Sequence, residues 1–290
     1  MACSAACRRF HSALVEAADA VRLLSEEWFV AVDATWFMEK QRPPKPPLQL
    51  FEEARLPRAS HFDIDALGDS SQSLPHMLPT VRSMQSFASR AGIRSLDDPV
   101  LVYVHPCSLN APRVWWTFKV YGFTDVAVLQ GGIEAWREAG GPLDTSPRIE
   151  PAPTPALPLA PRREWVLGLA DMQRHVASGQ LKMLDTRSLK SHVAGHIAGT
   201  VSVPYESLLC EDWTRLRDAE QLRQVLDRHG LDLTATTVVS CGSGVSACVF
   251  VLSAHLLGVP LDHLPVYDGS FAEWSQETVD RALCPIATGI

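Results

Sequence analysis

Six prolines fall between residues 145 and 163 of this 290-residue chain, at positions 147, 151, 153, 155, 158 and 161. Such spacing excludes a helix interior or a central strand and favours an extended, semi-rigid connector. The chain is therefore expected to divide into a domain at 1–144, a Pro-rich linker at 145–163 and a second domain at 164–290. Each part is long enough to bury its own core.

The two parts echo each other. Phe29–Asp33 and Lys182–Asp185 are apolar runs that end on an acid. Leu56–Ala59 and His196–Gly199 each lead into another short apolar segment. Val100–Val104 pairs with Thr237–Ser240, and Val126–Leu129 with Leu264–Tyr267. Between them lie helical stretches at Pro112–Tyr121 and Val245–Leu257, each running into a Gly turn. Gly131-Gly132 through Trp136 matches Gly269-Ser270 through Trp274. Short continuous apolar runs that alternate with helices suit buried parallel strands. The expectation is an α/β protein of two tandem copies, each a small parallel sheet flanked by helices.

Composition removes several classes. The net charge of −7 carries no basic excess, so no nucleic-acid partner is expected. No apolar run reaches the roughly 18 residues a membrane span needs. Seven cysteines form no CxxC pair, which argues against a disulfide framework and for a reducing compartment. Residues 1–10 hold two arginines and no acid, which suits either a short mitochondrial presequence or a plain amino terminus. The expected location is cytoplasmic or mitochondrial.

The sharpest local feature is Ser240-Cys-Gly-Ser-Gly-Val-Ser-Ala-Cys248. It puts Cys241 at the carboxyl end of a buried strand and before a helix amino terminus, the edge where open α/β sheets bind ligands. Gly242 and Gly244 allow successive backbone N–H groups to turn inward as an anion nest. The nest and the helix dipole favour thiolate, the nucleophilic form. A buried structural cysteine beside a tight turn is the plainer alternative. Cys248, one turn into an apolar helix, reads as core. No partner ligands stand at metal spacing, so neither a metal nor an organic cofactor is expected. A cysteine phosphatase would place an Arg at position 247, where this chain has Ala, so a phosphate would lack its bidentate clamp.

The loop resembles that of the mercaptopyruvate sulfurtransferases within the tandem-domain rhodanese family, which usually reads CGSGVT. Thiosulfate-preferring members carry basic residues after the cysteine. Phe62–Asp65, His76–Pro79, Ala111–Trp116 and Tyr267–Ser270 with Trp274 extend the resemblance over about residues 12–280. It implies that Cys241 attacks the sulfur of 3-mercaptopyruvate, releases pyruvate and keeps a persulfide. A thiol acceptor such as thioredoxin, or cyanide, then takes the outer sulfur. It also implies a proton relay of Ser243, His76 and Asp65, with the first domain a non-catalytic copy supplying His76 and Asp65. Asp63 is the neighbour that could be mistaken for Asp65; in an extended segment both acids share one face. Gly242, Gly244, Val245 and Ser246 would line the substrate, and Arg187 would hold its carboxylate.

Two departures stand out. The family inserts a segment with a second arginine between the Asp185-Thr-Arg187 motif and His196, whereas here only eight residues intervene. Lys190 is the candidate replacement. In the first copy the loop reads Tyr103-Val-His-Pro-Cys-Ser-Leu-Asn110, with Cys107 offset from the strand end and no Gly-rich nest. A thiosulfate sulfurtransferase, or a sulfur-carrier protein that retains Cys241 but turns over poorly, are the alternative functions.

Overall fold

The computed structural model describes residues 10–26, 29–39, 43–211 and 214–289. The possible presequence, with Cys3 and Cys7, falls outside the described residues except for Phe10.

Two compact units form, the first from the residues up to Leu67 with Val81–Pro161, the second from Gly68–Thr80 with Arg162–Ile290. The division differs from the one the prolines suggest in two places. Residues 68–80 lie in the first half of the sequence but pack with the second unit. The Pro-rich segment is no free connector but packs along the first unit. Gln85 donates to the Leu157 carbonyl at 2.7 Å, Ser89 Oγ to the Thr154 carbonyl at 2.6 Å, and Leu157 and Leu159 are buried. Proline spacing forbids regular structure but does not prevent alternate side chains from docking.

The first unit holds β1 (Leu14–Val15), α1 (Ala17–Glu26), β2 (Val30–Asp33), α2 (Pro47–Glu53), β3 (Ser60–His61), α3 (Ile64–Leu67), α4 (Val81–Arg90), β4 (Val100–Tyr103), α5 (Ala111–Val120), β5 (Val126–Leu129) and α6 (Gly132–Glu138). Its five strands are parallel in the order β1-β5-β4-β2-β3. The second unit holds β6 (Val166–Leu167), α7 (Leu169–Ser178), β7 (Lys182–Asp185), α8 (Leu189–Ala194), β8 (His196–Ile197), β9 (Thr200–Ser202), α9 (Ala219–Arg228), β10 (Thr237–Ser240), α10 (Ala247–Leu256), β11 (Val266–Tyr267), α11 (Ser270–Trp274) and β12 (Ile286–Ala287). Its main sheet is also parallel, in the order β6-β11-β10-β7-β9, while β12 pairs antiparallel with β8. Strand for strand the two sheets share one topology, as the sequence echo requires.

The central strands are apolar on both faces because helices cover both; β2 and β4 are buried at every position. Buried Trp115 and Trp116 of α5 fill the first core. Helix α10 is buried all along Ala247–Ala254, which explains an apolar sequence with no polar face. Register then aligns the two sheets. Asp33 stands opposite Tyr103, and Asp185 opposite Ser240. Val104 of the first unit is thus the counterpart of Cys241.

Candidate active site

Cys241 leaves β10 buried, at 2% exposure. The loop after it is turned by helix α11. Phe271 N–H donates to the Cys241 carbonyl at 3.0 Å and Ala272 N–H to the Gly242 carbonyl at 2.9 Å. The expected nest is only partly open, because Ser270 occupies two of its donors. Ser270 Oγ accepts from Cys241 N at 3.2 Å and from Gly244 N at 3.1 Å. Among the described residues, the N–H groups of Gly242, Ser243, Val245 and Ser246 have no protein acceptor. Gly244 takes a left-handed φ of +78°. Gly242 does not need to be glycine on steric grounds, since a Cβ there meets nothing within 4 Å.

The same hydroxyl of Ser270 lies 3.9 Å from Cys241 Sγ, but its single proton is better placed on the Tyr267 carbonyl at 2.7 Å. On the other side of the loop, His76 Nδ1 is 2.9 Å from Ser243 Oγ. Both belong to the second unit, so His76 is supplied by the strap at 68–80 and not by the first unit. Ser246 Oγ meets Thr186 Oγ1 at 3.1 Å, which ties the loop to the end of β7.

Arg187 is more committed than a free clamp. Its Nε and Nη2 bond Asp185, with Nη2 at 2.6 Å from Oδ2, and Nη2 also donates to the Gly195 carbonyl at 2.7 Å. The guanidinium carbon lies over the Phe271 ring, 3.9 Å from its centre. Only Nη1 has no partner among the described residues, so Arg187 can offer one end and not a full fork. Burial opposes ionisation of Asp185, but the hydrogen bonds and charge of Arg187 hold its carboxyl below the usual range. His192, which the sequence places beside Lys190, is buried, with Nδ1 3.1 Å from Asp185 Oδ2 and its ring stacked on His196 at 3.7 Å. Burial pushes the His192 imidazole below its ordinary value despite that carboxylate. Lys190 is exposed on α8, with no partner among the described residues.

A family profile for the rhodanese-like domain matches residues 16–139 and 169–277. The chain belongs to the rhodanese family. Human 3-mercaptopyruvate sulfurtransferase is 31% identical over 256 residues, covering 84% of each chain. Rat thiosulfate sulfurtransferase is 32% identical over 258 residues, again covering 84% of each. The solved structure of SseA from Escherichia coli, described among 3-mercaptopyruvate sulfotransferases, superposes with a TM-score of 0.80 at 26% identity, covering 89% of this chain and 98% of SseA.

The first rhodanese unit keeps the scaffold and has Val104 where the second has Cys241. Ile133 N–H donates to the Val104 carbonyl at 3.0 Å, as Phe271 does to Cys241. Cys107 is exposed three residues further on, at φ +69°. Gly132, at φ +59°, is the counterpart of Ser270, at φ +52°. Ser270 thus places a side chain at a left-handed position, a strained backbone, where the first unit has glycine. Ser270 was visible in the repeat only as an odd mismatch. Arg55, the counterpart of His196, is buried and bonds Asp144 at 3.1 Å, a structural use.

Asp65 belongs to the first unit. The segment is helical from Ile64 and not extended, so the shared strand face does not exist. Asp63 Oδ1 accepts the N–H groups of Asp65 and Ala66, at 3.0 and 3.1 Å, and serves as the start of α3. Asp65 Oδ2 accepts the Trp36 indole N–H at 3.1 Å.

Proposed function

We propose that this rhodanese is a sulfurtransferase that takes sulfur from 3-mercaptopyruvate through a persulfide on Cys241. The single observation that carries the donor is the contact of His76 Nδ1 with Ser243 Oγ at 2.9 Å. The Cys241 thiolate attacks the donor sulfur; the S–S bond forms, the carbon–sulfur bond breaks, and its electron pair leaves as the enolate of pyruvate. An enolate must gain a proton, and an imidazole can deliver one through the Ser243 hydroxyl. With thiosulfate the leaving group is sulfite, a stable anion that needs no such relay.

In this reading the N–H groups of Gly242, Ser243, Val245 and Ser246, which have no protein acceptor among the described residues, stabilise charge on the thiolate and persulfide. Arg187 Nη1 takes the substrate carboxylate, with Lys190 adding a distant positive charge. A second thiolate, such as that of thioredoxin, or cyanide then attacks the outer sulfur and returns Cys241 as thiolate. This gives ping-pong kinetics. The names of the relatives divide between the two donors, so the chemistry of this loop supports the choice.

The test compares kcat/KM for 3-mercaptopyruvate and thiosulfate in wild type and in Ser243→Ala. Wild type prefers 3-mercaptopyruvate, and Ser243→Ala loses that preference by slowing pyruvate release. A wild type that prefers thiosulfate overturns the donor while leaving the persulfide mechanism intact.

A further inference from the structure

The turn that joins β11 to α11 grips both reacting partners. Its Ser270 holds the cysteine loop through Cys241 N and Gly244 N. Its Asp268, buried at 3% exposure, accepts the N–H of Leu78 on Oδ2 at 2.8 Å. Leu78 is two residues beyond His76 on the strap at 68–80, which has no regular helix or strand to hold it. His76 itself has φ +60°, a conformation a non-glycine residue keeps only when its surroundings impose it.

The turn is itself anchored. Asp268 N–H donates to the Leu167 carbonyl at 3.1 Å, which pins it to the neighbouring strand. Gly269 has no room for a side chain, since a Cβ there would come within 2.7 Å of Glu273 Cβ. In the silent unit the position of Asp268 is taken by Gln130, whose N–H keeps the same strand bond, to Val15 at 2.9 Å. The carboxylate is thus a feature of the unit that carries the cysteine, while the backbone bond is common to both.

We propose that Asp268 is the positioning residue that sets His76 against Ser243, by holding the strap through the Leu78 N–H. A hydrogen bond from an amide to a buried carboxylate is among the stronger ones a backbone can make. It restrains the Met77–Leu78 peptide, one residue beyond His76, and so limits the direction in which the imidazole leaves the chain. The role assigned to Asp268 is positional. It acts through His76, and the inference rests on the reading that His76 and Ser243 deliver the proton to the departing enolate.

The test is a double-mutant cycle on single-turnover pyruvate release from 3-mercaptopyruvate, using the full chain. His76→Ala is expected to slow release on the order of a hundredfold, the usual scale of acid–base catalysis. Asp268→Ala should lose about tenfold or more in rate with little change in substrate KM, and the His76→Ala/Asp268→Ala pair should be no slower than His76→Ala alone. Asp268→Asn, whose side-chain oxygen still accepts the Leu78 N–H, should recover most of the rate. The alkylation rate of Cys241 by iodoacetamide should stay at the wild-type value, because Ser270 still holds the loop. If Asp268→Ala does not fold, Asp268→Glu takes its place, since one extra methylene displaces the acceptor, and it must show the same loss. Independent, multiplying losses in the double variant, or a full rate in Asp268→Ala with an impaired His76→Ala, overturn the positioning role and leave the relay standing. A full rate in His76→Ala overturns the relay itself.

Discussion

Ser270 Oγ stands 3.2 Å from the amide nitrogen of Cys241 and 3.9 Å from its sulfur. One buried hydroxyl thus meets Cys241 at both its backbone and its side chain. It does so from a left-handed backbone, at φ +52°. Removing the hydroxyl leaves two buried amides unpaired, which costs about 1–3 kcal/mol each before relaxation. Replacing Ser270 by Gly relieves the backbone strain by about 1 kcal/mol but restores no acceptor. Ser270→Gly should therefore melt higher than Ser270→Ala, while both release pyruvate at least tenfold more slowly than wild type. Equal rates in wild type and Ser270→Gly would remove the hydroxyl from the mechanism.

Cys241→Ser should abolish pyruvate release and the mass gain of one sulfur after exposure to 3-mercaptopyruvate. Cys107→Ser should keep both, because Cys107 is offset from the strand end and exposed. Cys248→Ser should also keep the persulfide, since Cys248 Sγ faces the Gly244 carbonyl at 3.4 Å inside the second core. Intact-protein mass spectrometry reads all three. A carrier protein loaded only by another enzyme would gain no sulfur from the small molecule.

Arg187→Ala should raise KM for 3-mercaptopyruvate by tenfold or more, through loss of a charge-assisted hydrogen bond worth about 1.5–3 kcal/mol. It should also lower the melting temperature, because Asp185 has 3% side-chain exposure and would lose its cation. Asp185→Asn combined with Arg187→Ala should regain part of the stability and none of the affinity. Lys190→Ala should raise KM no more than about twofold, as expected of an exposed, screened cation. Melting curves and steady-state kinetics on the three variants separate the two roles.

Gly242→Arg fits the open space at that position and puts a cation beside the attacked sulfur. It should raise kcat/KM for thiosulfate, whose charge sits on the group bonded to that sulfur. The expected gain is at least tenfold, or about 1.4 kcal/mol of transition-state stabilisation. The gain should appear without Ser243→Ala and persist with it, since sulfite needs no proton. A fall in thiosulfate turnover would show that charge at this point is not what limits it.

Acid should destabilise the second unit through Asp185 and His192. The Asp185 carboxyl lies below its ordinary value, so its contribution is present above the unfolded carboxylate range and is lost as pH falls through the folded value. The His192 imidazole also lies below its ordinary value. As pH falls through about 6.5, the unfolded chain takes up a proton that the folded one refuses, so stability falls there as well. The melting temperature should decline between about pH 7 and pH 5, and His192→Gln should flatten that first decline. A flat profile in wild type would contradict the burial argument.

The sequence by itself determined the two α/β copies, the parallel central strands and the cysteine at a strand end. Each of these rests on a pattern within a few residues: an apolar run, a Gly-rich loop, a helix start. Tertiary structure decided which groups meet. The pair His76 and Ser243 is 167 residues apart, and Leu78 and Asp268 are 190 apart. No periodicity encodes such a meeting, because it depends on where the 68–80 strap docks. The same holds for Arg187, legible as a cation near a strand end, whose guanidinium is mostly spent on Asp185, Gly195 and Phe271. Ser270 sits at the boundary between the two. Its mismatch with Gly132 was present in the repeat, but only the left-handed backbone and the two amides it accepts give the mismatch a physical reason.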